Sequence, residues 1–152
     1  MPKRKNSSIS SNGAYERFIR GLKLIALGLE NSAARLERDA YTFARRDRKE
    51  PVRRIQADYR VSDIGKGFFD CLASFNLIFE HPESKDLLLR VDSVFRCHFH
   101  TDSKNSEEMA RRFVTAEFKL IIWPYFRQFV TDTTTRMGIA PVTVPFSTQA
   151  DS

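Results

Sequence analysis

The sequence lacks most devices by which a small protein does chemistry or crosses a membrane. Its 2 cysteines, Cys71 and Cys97, are too few for the disulfide framework of a small secreted domain. Its 6 glycines are scattered, and none belongs to a phosphate-cradling loop. No pair of carboxylates stands in an apolar setting, so no acid–base site is legible and the chain reads as a non-enzyme without cofactor or metal. The most apolar stretch, Leu22 to Leu29, is far shorter than the ~20 residues that span a bilayer. At the N-terminus Met1, Pro2, Lys3, Arg4 and Lys5 precede serine and asparagine rather than an apolar segment, so a cytoplasmic chain with reduced thiols and no membrane insertion is expected.

What is present is an ordinary core-forming composition with one bias. Hydrophobic residues make up 41% of the 152 residues and charged residues 29%, enough for one compact domain without staples. Phenylalanine is over-used, with 13 against 4 tyrosines and 1 tryptophan. The formal net charge of +6 is compatible with an anionic partner and equally with plain solubility.

Residues 1–13 are polar and basic and are expected to form a disordered tail, with 14–146 a single domain and 147–152 a second tail. Between Leu22 and Leu36 the apolar residues switch parity. Leu22, Leu24 and Ala26 share one, then Ile25, Leu27 and Leu29 the other. A long strand bent by a bulge near Ile25 produces this switch, and a helical turn over Tyr15–Arg20 can precede it. Residues 37–51 mix acids and bases and read as a solvated loop. From Arg54 to Val61, Ile55, Ala57, Tyr59 and Val61 alternate with polar residues without exception, which makes a half-buried strand. The stretch Asp63 to Gly67 supplies a turn. Phe69, Cys71, Ala73, Phe75, Leu77 and Phe79 then occupy one face of a second strand, whose other face carries Phe68, Leu72 and Ile78 among polar residues. After a turn at His81–Ser84, Leu87 to His100 alternates again, and the three strands form an antiparallel meander.

The period then changes. Ser106, Glu107 and Glu108 suit a helix start, and Met109, Phe113, Ala116 and Leu120 fall on one helical face. Pro124 removes an N–H, so the spacing predicts two helical segments joined there, with Pro124 in the first turn of the second. Gly138 closes that helix, and Pro141 and Pro145 keep the following segment extended.

The order of these elements, with Trp123, Pro124, Tyr125 and Arg127 opening the main helix, Thr131 and Asp132 in its middle, and Arg136 and Gly138 at its end before Pro141 to Pro145, resembles the SecB family of protein-export chaperones. The resemblance covers Leu22 to Phe146 in element order, and about Ile121 to Phe146 in residues, with Trp123 in place of the usual phenylalanine. It implies an α+β fold, a four-stranded antiparallel sheet of a bent first strand plus a three-strand meander, packed by a proline-broken C-terminal helix pair. It also implies a homotetramer built as a dimer of dimers and ATP-independent binding of unfolded or non-native client proteins. In that family an acidic sheet surface is implied in docking to the SecA motor. Here the outward face offers Arg54, Arg60, Arg90, Arg96, His98 and His100 against Asp58, Asp70 and Asp92, which argues against SecA. It favours instead a divergent, SecB-like member serving a particular client such as an antitoxin.

Each sharper reading has a plain alternative. Trp123, Tyr125, Phe126 and Phe129 are most simply core between helix and sheet; with Phe68, Leu72 and Ile78 they are otherwise candidates for a client groove or subunit interface. His98 and His100 share a strand face, but Cys97 points the other way, which spoils a metal motif. Both cysteines lie on the apolar face, where a thiol is inert. Arg127 and Asp132 are spaced poorly for an intrahelical pair, so pinning the helix to a neighbouring subunit is preferred. The basic run Arg45, Arg46, Arg48 and Lys49, with Arg53 and Arg54, lacks interleaved aromatics and reads as a solvated loop rather than a nucleic-acid site. A basic, non-enzymatic module binding nucleic acid or another anionic partner remains the alternative function.

Overall fold

Alternation of side chains along the strands sets the sheet, and the helices follow the face it makes apolar. The computed structural model describes residues 7–102 and 106–145; residues 1–6 of the expected N-terminal tail and all of the expected tail 147–152 lie outside the described residues. Strands β1 (Lys23–Leu36), β2 (Val52–Gly65), β3 (Phe68–Glu80) and β4 (Leu87–His100) form one antiparallel sheet in the order β1-β4-β3-β2. The meander and the added first strand are as expected. β1 carries register shifts between Leu24 and Ala26 and between Leu29 and Asn31. The bulge near Ile25 is therefore real, and it explains the change of parity.

The turn between β2 and β3 is tighter than the composition implies. β2 continues through Asp63 and Ile64, and only Lys66 and Gly67 join it to β3. Gly67 has φ +79, a left-handed conformation that glycine adopts without steric cost. Gly65 is required for a different reason: a Cβ there would meet the Phe68 ring at 2.0 Å.

Four helices stand beside the sheet among the described residues. α1 (Ser7–Gly21) occupies residues 7–13 that the polar composition assigns to a tail. Tyr15 and Phe18, 7% and 3% exposed, anchor its C-terminal half on the core, and the backbone ladder extends from that anchor. α2 (Arg38–Arg46) replaces the expected loop. Only Tyr41 and Ala44 are buried in it, packed with Leu88 at the end of the sheet, too few apolar residues to stand out in a charged segment. α3 (Ser106–Ala116) lies over β2 and β3, and α4 (Phe118–Arg136) over β3 and β4.

The helix pair differs from expectation at its joint. The break falls at Glu117, about two helical turns before Pro124, and Pro124 lies inside α4. Pro124 and Leu120 are both on the exposed side of the helix, so the Leu120 carbonyl that loses its donor is on the wet face, where the loss costs least. The break also resets the helical phase. Ala110, Phe113 and Val114 face the core from α3, then Phe118, Ile122, Phe126 and Val130 from α4, while Leu120 is 62% exposed. Tyr15 donates from its hydroxyl to Glu117 at the joint, and the Arg112 guanidinium lies 3.9 Å from the centre of the Tyr15 ring. α4 ends as the glycine predicts. Gly138, at φ +75, donates to the Thr135 carbonyl and Ile139 to that of Thr134, a paired C-terminal cap.

The phenylalanine bias is mostly core. Phe18, Phe69, Phe75, Phe95, Phe99, Phe113, Phe118 and Phe126 are all buried. Phe126 stacks on Phe75 with centroids 4.1 Å apart, and Phe69 stacks on Phe99 at 5.3 Å. Cys71 and Cys97 are register partners on this face, unbonded and fully buried.

Phe126→Ala is expected to cost about 3–5 kcal/mol of stability in urea denaturation, whereas Tyr125→Ala one position earlier changes it by less than about 0.5 kcal/mol. Ser93 is buried with its hydroxyl unpartnered among the described residues, so Ser93→Ala should raise stability by about 1 kcal/mol. Burial pushes the Cys71 and Cys97 thiols up to about 12 from 9.0, and the Tyr59 phenol to about 12 from 10.0. The folded chain thus keeps protons that the unfolded chain releases, and stability is full below pH 9 and lost as pH rises through 9 to 12. Urea midpoints measured at steps across that range should fall, and Cys71→Ser with Cys97→Ser should flatten the onset of the fall.

Candidate functional site

The two faces of the sheet differ in what covers them. On the helix side, α3 and α4 protect β2, β3 and β4, whereas β1 is exposed along nearly its whole length. Leu24 and Leu29 point to that side and are 42% and 44% exposed. Leu29 pairs with Phe95, and Phe95 meets Phe129 edge-on at 5.9 Å. Tyr125, one turn before Phe129 on the same flank of α4, is 48% exposed. An apolar shelf therefore runs between the free edge strand and one flank of the long helix, with Ile25 (52% exposed) at the β1 bulge beside it. Its edge backbone and the Tyr125 hydroxyl can pair with a polypeptide.

The opposite, outward face is laced with ion pairs. Arg96 meets Asp70 at 3.0 Å, Glu30 at 2.9 Å and Asp63 at 3.6 Å, so one guanidinium ties all four strands. His98 meets the second Asp70 oxygen and lies against the Phe68 ring. Arg54 pairs with Glu80 and Arg90 with Asp92. Glu30, Asp63 and Glu80 thus add acid to a face read as basic; Arg96 and Arg54 are cross-strand partners and Arg90 pairs along its own strand, which interrupts a continuous positive field. Leu72, only 5% exposed, is set between Arg60 and Arg96, whose stems can cover it. Phe68 and Ile78 are half-buried there.

The other expected site residues separate into three groups. Trp123 and Phe126 are core, 5% and 0% exposed. Tyr125 and Phe129 line the shelf. Arg127, with the Trp123 indole N–H, holds the chain's own C-terminal segment. Trp123 Nε1 donates to the Pro145 carbonyl at 2.8 Å and Arg127 Nε to the Val144 carbonyl at 2.9 Å. Arg127 accordingly has a partner within its own chain, and Asp132 accepts from Gln128 at 2.8 Å. Pro124, Asp132 and Arg136 are exposed. The basic run is also engaged. Lys49 pairs with Glu83, Arg45 lies over the Tyr41 ring, and Arg53 donates to the Thr143 carbonyl at 3.3 Å.

Sequence reasoning missed Leu24 and Leu29 as surface residues. The double parity of β1 was their signal, because a strand apolar on both sides needs cover that one layer of helices does not give.

No family model matches the sequence, and no curated protein matches it. Among solved structures the chain is similar to a SecB-like chaperone of Mycobacterium tuberculosis, solved in complex with a ChAD peptide from the HigA1 antitoxin, with a TM-score of 0.74 and 16% identity, covering 90% of this chain and 98% of that one. It is also similar to a protein of unknown function from Streptococcus agalactiae, with a TM-score of 0.49 and 7% identity over 82% and 97% of the two chains. The first likeness establishes that this chain has the SecB-like α+β fold.

Asp70→Asn should cost about 1–3 kcal/mol in urea denaturation, because it strips charge from the acceptor that Arg96 and His98 share. Arg90→Ala, on an exposed pair, should change stability by less than about 1 kcal/mol.

Proposed function

We propose that this protein is an ATP-independent chaperone of the SecB-like kind, a non-enzymatic cytoplasmic protein that binds unfolded or non-native polypeptide at the shelf between β1 and α4. The observation that carries the reading is an exposed apolar edge strand, Leu24 to Leu29, beside the Tyr125 and Phe129 flank of α4. An unfolded client offers the two things such a surface takes, apolar side chains and unpaired backbone. The fold it shares with a chaperone solved with an antitoxin peptide supports service to a particular client, an antitoxin being one case. Passage of clients to SecA for export is the less favoured role, because paired arginines occupy the outward sheet face.

The same exposed edge favours assembly. We propose a homotetramer, a dimer of dimers, since a long free strand is stable in solution when something pairs with it or covers it. A strictly monomeric native mass at micromolar concentration would contradict this.

Light scattering of thermally denatured citrate synthase tests the main reading. Suppression of aggregation near stoichiometric ratio, without ATP and unchanged between ~50 and ~200 mM salt, is expected. Leu29→Ser with Tyr125→Ser should weaken client binding at least tenfold, as two apolar contacts worth about 1.5–3 kcal/mol each when fully buried are lost. Steeply salt-dependent binding of an oligonucleotide with no effect on aggregation would sink the chaperone reading in favour of a nucleic-acid module.

A further inference from the structure

The flank of α4 opposite the shelf already holds an extended peptide, and it does so mainly through that peptide's backbone. Beyond Gly138 the chain turns back along α4. Val142 and Val144 are buried, 7% and 1% exposed, while Pro141 and Thr143 between them are exposed, the alternation of an extended segment. Its carbonyls are read from two sides. Those of Val144 and Pro145 accept from Arg127 and Trp123 on α4, and that of Thr143 accepts from Arg53 at the start of β2. The Val142 N–H donates to Thr134 Oγ1 at 3.0 Å, and Thr131 Oγ1 lies 3.4 Å from the Val142 carbonyl.

Backbone groups are common to every polypeptide, and two branched apolar side chains are a modest demand. A site built of fixed donors for successive carbonyls and pockets for alternate side chains recognises extended chain as a class. We propose that this channel between α4 and β2 is a binding groove for extended, uncharged polypeptide with branched apolar residues at alternate positions, and that residues 139–145 are its tethered occupant, displaced by client. The proposal rests on the reading that the protein binds non-native polypeptide and adds a second site to it. Gly138, at φ +75, is the hinge. A client caught at the shelf reaches the groove intramolecularly, at an effective concentration on the order of millimolar, and so competes with the tethered segment on comparable terms.

Two measurements test it. The first uses a fluorescein-labelled synthetic peptide of residues 139–148 against the full chain carrying Val142→Ser and Val144→Ser, which loosen the occupant and leave the groove intact. Binding at least tenfold tighter than to the unmodified chain is expected, falling about tenfold when Arg127→Ala is added. The second uses the unmodified protein. Amide hydrogen exchange over 139–145 should speed up on saturation with reduced, carboxymethylated α-lactalbumin, while the middle of α4 stays protected. Client binding with no change in that exchange, together with no peptide binding to the loosened variant, would overturn the groove and leave the chaperone reading standing. Peptide binding to the loosened variant with no binding of the unfolded client would uphold the groove and remove the chaperone reading. If the loosened variant does not fold, the exchange measurement alone decides.

Discussion

Phe126 lies flat on Phe75, centroids 4.1 Å apart and 11° from parallel, and the position of α4 on the sheet follows from that contact. Trp123 closes on the same pair of rings from one side, and Phe95 with Phe129 completes the seat from the other. Rings packed this closely tolerate little sliding. Once α4 is held there, one of its flanks faces the free strand β1 and the other faces β2. The apolar shelf and the docked C-terminal segment are consequences of that placement, one on each side of the helix.

The chemistry of the molecule is correspondingly one of surfaces. Both thiols are buried in the core, where loss of charge solvation holds them protonated. On the outward face His98 is engaged with Asp70 and the Phe68 ring. Among the arginines, Arg96 and Arg54 tie neighbouring strands, Arg45 lies over the Tyr41 ring, and Arg38 on α2 donates to the Met137 carbonyl at the end of α4, where a cation also suits the helix dipole. Along β1 and the Tyr125 flank of α4, edge backbone and apolar side chain are exposed, the two features that a polypeptide partner needs.

Most of the fold was legible because it rests on local periodicity. The strict alternation of Ile55 to Val61 and the repeated alternation of β3 and β4 defined the meander, and the double parity around Ile25 correctly implied a bulge. The helical stripe failed at Glu117, since the joint is made by long-range contacts to Tyr15 that no local pattern records, and Pro124 drew the break toward itself. α2 was hidden for a related reason: a helix held by Tyr41 and Ala44 alone owes its existence to Leu88 and the end of the sheet. The candidate site was half visible. Tyr125 and Phe129 stood out as aromatics, but Trp123 and Phe126, equally aromatic, are core, and only the rotation of α4 distinguishes them.

The sequence by itself determined which residues alternate and where chain direction changes, because these depend on neighbours a few positions apart. Tertiary structure decided which apolar faces remain uncovered and what the Trp123 and Arg127 side chains of α4 hold. Arg127 and Trp123 bind carbonyls 17 and 22 residues away, and β1 is bare because the helices end their cover at β4. Both facts follow from the seating of one helix, which is a property of the whole core and of no segment within it.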